Sequence, residues 1–157
     1  MLRMPPMLFH QMLHSRPLPS SVIPFNQMLT QLSKLKHYSA VISLNRQMLL
    51  RRIVPNHYTL NTIINCYCHL NQMGFSLSVL GKLFKLGLQP NVITFSTLIN
   101  GFVLHNQVPE AALIFTKMLE AGHCKPSVFT FSTLIKGFCK MGNNYLGRWK
   151  KEDASLT

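Results

Sequence analysis

Apolar residues along Val92–Ser127 recur at the spacing of a helix, not of a strand. In VITFSTLINGFVLHN, Phe95, Leu98, Ile99 and Phe102 stand at i, i+3, i+4 and i+7, which puts them on one helical face. In VPEAALIFTKMLEAG, Ala111, Phe115, Met118 and Leu119 do the same. Pro109 suits the first helical position, Glu110 the positive end of the helix dipole, and Gly122 a stop. The stretch therefore predicts a helix–turn–helix unit. Two short amphipathic helices cannot bury both faces alone, so such a unit needs neighbours.

The neighbours are written in the chain. Thr94–Ile99 (TFSTLI) returns letter for letter as Thr130–Ile135, 36 residues later. Backwards, Thr94 falls on Thr59 and Leu98-Ile99 on Ile63-Ile64, 35 residues earlier; a further step sets Asn61 on Asn26 and Ile63-Ile64 on Met28-Leu29. Pro19, Pro55, Pro90 and Pro126 keep the same beat. A fixed period of this size with a helix pair in each copy means an all-α fold, an α-solenoid whose core is a strip between stacked helices.

The period divides the chain. Residues 22–56 form a first whole repeat, with Phe25, Met28, Leu29 and Leu32 on its opening helix and a second helix over Ser39–Leu50. Residues 57–91 form the next, with Leu60, Ile63, Ile64 and Tyr67 on the first buried face and Phe75, Val79, Leu80 and Leu83 on the second. Residues 92–127 form a third, with one extra residue in the loop Gly122–Pro126, and 128–143 the opening helix of a fourth. Past Gly142 no second-helix pattern follows, so 144–157 reads as a frayed or disordered tail. Residues 1–21 are basic and Met-rich, which suits a targeting segment. Yet Gln11-Met12-Leu13, Arg16 and Pro19 line up with Gln47-Met48-Leu49, Arg52 and Pro55, which favours the second helix of a partial repeat.

Charge narrows the partners. The net charge is +12, and nine Lys or Arg residues precede Glu110, the first acidic residue. A field of that sign favours polyanions, meaning nucleic acid or an anionic membrane surface, the plain alternative being a basic solvated surface. Cys66, Cys68, Cys124 and Cys139 lack metal-ligand spacing and read as small buried hydrophobes in a reducing compartment. His10 and His14 sit four apart with no acidic partner, so no metal is expected. No apolar run is long enough to span a membrane. With four acidic residues, none paired on a repeat face, and no phosphate-cradling loop, the residues give no enzyme and no cofactor.

Three features resemble pentatricopeptide repeats: the openings Thr94–Ile99 and Thr130–Ile135, the close Gly137-Phe138-Cys139-Lys140, and the ending Gly87-Leu88-Gln89-Pro90-Asn91. The wording, including Cys68-His69-Leu70-Asn71, is similar to the plant restorer-of-fertility-like branch, over roughly residues 7–143. The resemblance implies a right-handed superhelix of stacked repeats that binds single-stranded RNA, an organellar transcript, in mitochondria or, alternatively, plastids. It implies one base read per repeat by a residue early in the first helix together with the repeat's last residue. Carried over, the pairs are Asn26 with Asn56, Asn61 with Asn91, and Ser96 with Ser127, while Ser132 lacks its partner. An amide can bond the Watson–Crick edge of an unstacked base, and by the family's rules Asn–Asn pairs lean to pyrimidines. Ile23, Tyr58, Ile93 and Phe129 match residues that sandwich bases, and Lys34, His69 and Lys140 match a phosphate-contacting position that Leu104 vacates in the third repeat.

The plain alternatives are that Asn26 and Asn61 cap helix starts, that Asn56 and Asn91 are turn residues after proline, and that the lysines are a solvated face. Three whole repeats read about three bases, which suits micromolar or weaker binding that falls with salt. The expected function is transcript occupancy, with protein partners recruited for RNA processing. The alternatives are a helical-repeat protein scaffold akin to tetratricopeptide repeats, or a truncated fragment without function.

Overall fold

The computed structural model of the chain describes residues 4–155; residues 1–3 of the N-terminal segment and 156–157 of the tail lie outside it. The described residues form eight helices and no strand: α1 (Met4–His14), α2 (Ile23–Lys34), α3 (Tyr38–Leu50), α4 (His57–His69), α5 (Met73–Lys85), α6 (Val92–Leu104), α7 (Val108–Glu120) and α8 (Val128–Ser155).

Three of the helices, α4, α6 and α8, begin at side-chain caps that the sequence supplies. At the start of α4 the Thr59 backbone N–H donates to Asn56 Oδ1 at 3.1 Å, and the Asn56 backbone N–H donates to Thr59 Oγ1 at 3.2 Å. The start of α6 repeats this reciprocal box with Asn91 and Thr94, at 3.0 and 3.2 Å. Ser127 and Thr130 form its hydroxyl version at the start of α8. Each arrangement satisfies two donors that a helix start leaves orphaned. Pro24 and Pro109 occupy the first turns of α2 and α7, where a missing N–H costs nothing.

The helices end on a second periodic device that the letters do not advertise. Lys36, Asn71 and Asn106 have φ of 63°, 56° and 59°, and each closes the turn inside a helix pair. The next N–H, of His37, Gln72 or Gln107, then reaches back to the carbonyl of Leu32, Tyr67 or Phe102. Arg52, Gly87 and Gly122, with φ of 58°, 70° and 71°, close the turn that follows a pair. Both series recur every 35 residues. Each is a left-handed helix stop, which glycine or asparagine adopts readily and Lys36 and Arg52 adopt at a cost.

The chain packs as two compact units, Met1–Gln89 and Pro90–Thr157. In the first, α2 packs on α3 and α4, α3 on α4, α4 on α5, and α1 on α2. Its core gathers Phe9, Leu13, Phe25, Leu29, Leu32, Val41, Leu44, Met48, Ile63 and Cys66, with Phe9 meeting Phe25 edge-on at 5.3 Å. In the second unit α6 packs on α7 and α8, and α7 on α8. Phe95, Leu98, Ile99, Phe102, Val108, Ala111, Met118 and Leu134 are buried there. Gly137 lets α8 approach closely: a Cβ at that position would meet Val103 at 3.1 Å and Val108 at 3.3 Å.

Three expectations change. The fourth helix was expected to stop at Asn143; α8 instead continues to Ser155, through the 144–157 segment that the apolar pattern leaves unassigned. Lys140–Lys151 contains no proline to break the helix, although Gly142 and Gly147 lower its propensity. Phe75 and Leu119 are exposed rather than buried, and Phe75 stacks on Tyr67 at 5.3 Å. Third, burial sets the register of α1 one residue away from the letter match: Leu13, Met48, Leu83 and Met118 are all buried and spaced by 35, while Leu49 is exposed. On α8, Phe131, Ile135 and Phe138 are exposed, since no second helix follows among the described residues to cover the face that Phe95, Ile99 and Phe102 bury on α6.

The extra loop residue of the 36-residue repeat is accommodated around one carbonyl. The Pro90 carbonyl accepts from Cys124 Sγ at 3.4 Å and pairs with His123 Nε2 at 3.0 Å, while His123 Nδ1 faces the Ala121 carbonyl at 2.9 Å. The Pro90 carbonyl first, and then that of Ala121, favour an imidazole bearing both protons, so the His123 pKa is raised.

Candidate nucleic-acid interface

Each repeat opens with a large apolar residue that the core does not use. Ile23 on α2 is 60% exposed, Tyr58 on α4 73%, Ile93 on α6 60% and Phe129 on α8 58%. Tyr58, Ile93 and Phe129 stand beside the side-chain caps that start α4, α6 and α8, whereas α2 starts at Val22 without one. These four recur at spacings of 35, 35 and 36 residues on the opening helices, as exposed Leu49, Phe84 and Leu119 recur at 35 on the second helices.

Asn26 Nδ2 donates to Asn56 Oδ1 at 2.9 Å, so the chain brings the first pair together across 30 residues. Asn26 Oδ1 accepts from the Thr59 hydroxyl at 2.6 Å. In the second unit Ser96 and Ser127 meet on the Thr130 hydroxyl, at 2.9 and 3.1 Å. Asn61 is half-buried on α4, and Asn91 caps α6. Ser132 is exposed on α8. An open polar edge was expected at these positions, yet Asn26 and Ser96 are each only 8% exposed, because the threonine of the following repeat closes over them. The cap role also falls elsewhere than expected. Asn56 and Asn91 are the helix caps, whereas Asn26 lies inside α2.

Thr59, Thr94 and Thr130 are therefore residues that the letter pattern used only as a repeat marker. All three are fully buried. Their recurrence as polar residues one turn into an apolar helix was the available signal.

Lys34 and Lys140 are exposed. The exposed His69 ring stacks flat on Tyr38 at 4.6 Å, interplanar angle 2°. Leu104, in the corresponding place of the third repeat, is exposed. Cys66, Cys68 and Cys124 are buried, in line with their reading as small hydrophobes, whereas Cys139 is exposed. Among the described residues no group of three His, Cys, Asp or Glu side chains could hold a metal, and no helix is long and apolar enough to cross a membrane.

Helix pairs of one length, closed by the same turns and carrying the same residue types at the same helical positions, define a helical-repeat protein of the solenoid class. The chain belongs to the PPR (pentatricopeptide) repeat family, whose sequence profile matches residues 20–69, 59–104 and 90–140. It is 41% identical over 107 residues to a mitochondrial pentatricopeptide repeat-containing protein of Arabidopsis thaliana, an alignment covering 68% of this chain and 18% of that protein. A second mitochondrial relative from the same plant is 46% identical over 83 residues, 53% of this chain and 13% of the relative. The chain thus spans less than a fifth of the length of these curated relatives. Among solved structures it resembles the pentatricopeptide repeat protein PPR10 in complex with an 18-nucleotide psaJ RNA element, with a TM-score of 0.72 and 25% identity over 84% of this chain and 20% of PPR10.

Proposed function

We propose that this chain binds single-stranded RNA without catalysis, each whole repeat engaging one base. The observation that carries this reading is the recurrence of an exposed apolar residue (Ile23, Tyr58, Ile93, Phe129) at the opening of each repeat, accompanied in two of them by a polar residue bonded to the threonine of the next repeat, Asn26 to Thr59 and Ser96 to Thr130. The apolar residues offer faces on which unstacked bases lie. Asn26 with Asn56 and Ser96 with Ser127 offer groups for base edges, and Asn61, Asn91 and Ser132 each offer a polar group of their own. Lys34, His69 and Lys140, within a chain of net charge +12, supply attraction for phosphates. The RNA-bound PPR10 relative supports an RNA partner. Relatives named mitochondrial support that organelle, and the Asn26–Asn56 pair supports a preference for pyrimidines.

Fluorescence anisotropy with labelled oligo-C, oligo-U and oligo-A at two salt concentrations tests the proposal. Binding in the micromolar range or weaker is expected for about three read bases. Affinity should fall steeply with salt, with a log–log slope of about −0.7 per phosphate contacted. Absence of salt-dependent binding to any strand refutes it.

A further inference from the structure

Resting on the RNA-binding reading above, we infer that the buried threonine opening the following repeat is a specificity-determining positioning residue. Thr59 fixes which way round Asn26 presents its amide to a base, whereas Thr130 leaves Ser96 able to present either a donor or an acceptor.

In the first unit one group has no choice. The Thr59 backbone N–H can only donate, and it donates to Asn56 at 3.1 Å, so Asn56 must turn its oxygen inward. That oxygen faces Asn26 at 2.9 Å, so Asn26 must turn its Nδ2 toward it. The Asn26 oxygen is thereby left facing the Thr59 hydroxyl at 2.6 Å. This hydroxyl already accepts the Asn56 N–H at 3.2 Å, and its single proton has a closer acceptor in Asn26 than in Asn56 Oδ1 at 3.2 Å. A reversed Asn26 would set two amide oxygens against each other in a site 8% exposed. Unpaired acceptors in such a place are costly. Backbone polarity is thus relayed through Asn56 and Thr59 into the orientation of Asn26. The second N–H of Asn26 and the Nδ2 of Asn56 remain for a base, as donors of fixed position, and these suit the O2 acceptor that cytosine and uracil share.

The second unit has the same layout but no such lock. Thr130 Oγ1 lies 2.9 Å from Ser96 Oγ and 3.1 Å from Ser127 Oγ. Ser127 Oγ accepts the Thr130 N–H, and Thr130 Oγ1 accepts the Ser127 N–H, each at 3.3 Å. Every member of this trio is a hydroxyl, which both donates and accepts and whose proton rotates. The Thr130 proton can point to Ser96 or to Ser127, so Ser96 offers a base whichever role remains. Degenerate reading follows from that freedom.

The test measures binding of the full chain to fluorescein-labelled oligo-C and oligo-A of equal length, for wild type, Thr59→Val, Thr59→Ser and Thr130→Val. Thr59→Val keeps the backbone N–H that turns Asn56 inward but leaves the Asn26 oxygen without its donor, so the amide is no longer held in place and the C-over-A preference should fall about fivefold or more. It should persist in Thr59→Ser, which keeps the hydroxyl, and in Thr130→Val, whatever happens to overall affinity. An unchanged preference in Thr59→Val, or an equal loss in Thr130→Val, overturns the inference while leaving RNA binding intact. Failure of the wild-type chain to bind either strand in a salt-dependent manner overturns the RNA reading itself. If circular dichroism shows Thr59→Val to be unfolded, proton exchange by NMR on the wild-type chain decides. The Asn26 side-chain amide and the Thr59 hydroxyl should exchange far more slowly than the exposed amide of Gln27, and equal rates refute the lock.

Discussion

Replacing Tyr58 by alanine separates a nucleic-acid contact from a structural one. Tyr58 is 73% exposed, so about a quarter of its surface is buried by the fold. A tyrosine side chain presents roughly 200 Å². Truncation therefore returns about 50 Å² to water, worth ~1 kcal/mol at about 25 cal/mol per Å². Alanine is the better helix former by about 0.5 kcal/mol, which offsets part of this loss. The folded state should lose ~0.5 kcal/mol, a shift of a few degrees or less in the melting temperature. If a base stacks on the ring, binding loses about 1–3 kcal/mol, or roughly 5- to 150-fold in affinity. Thermal melts by circular dichroism and anisotropy with oligo-C read the two quantities on the same samples. Unchanged affinity in Tyr58→Ala refutes the stacking role, as does an affinity loss no larger than the stability loss explains.

Two further outcomes test the fold. Arg52 holds a left-handed conformation, φ 58°, where the equivalent positions carry Gly87 and Gly122. Its exposed side chain has no packing role, so Arg52→Gly should stabilise the helical signal against urea by ~0.5–1 kcal/mol, and destabilisation would contradict the strain argument. Thiol reagents at pH 8 should label exposed Cys139 first, with Cys66, Cys68 and Cys124 reacting only as fast as the fold opens; mass spectrometry after a short pulse checks the order. Burial pushes the Cys66 thiol up from 9.0 to about 11, against a weaker lowering by its hydrogen bond to Ser33. Because the folded pKa is raised, the folded state holds this proton more tightly. Its contribution is complete below pH 9 and is lost as pH rises toward 11, so urea midpoints should fall over that window and fall less in Cys66→Ala.

The sequence by itself determined what depends on neighbours within a turn or two. Apolar residues at i, i+3, i+4 and i+7 set the helices, proline set the starts of α2 and α7 and asparagine those of α4 and α6, and a period of 35–36 residues set the pairing of helices into repeats. The same period carried Ile23, Tyr58, Ile93 and Phe129 to one position of each repeat, and all four are left outside the core. Two local matters still escaped the pattern. Residues of α8 beyond Asn143 are helical although the repeat pattern does not continue there, and the five-residue letter match at α1 was one residue out of the burial register, because matching letters weigh less than which side chains reach the core.

Tertiary structure alone decided what the polar pairs do. Asn26 finds its partners 30 and 33 residues away, at Asn56 and Thr59, and Ser96 finds Thr130 at a separation of 34. Whether such groups face solvent or one another depends on where the next repeat lands, to within the roughly 3 Å reach of a hydrogen bond. A repeated letter records that a position matters in every copy. It does not record that a buried threonine sits over the amide, because that contact is made between repeats and is absent from any one of them.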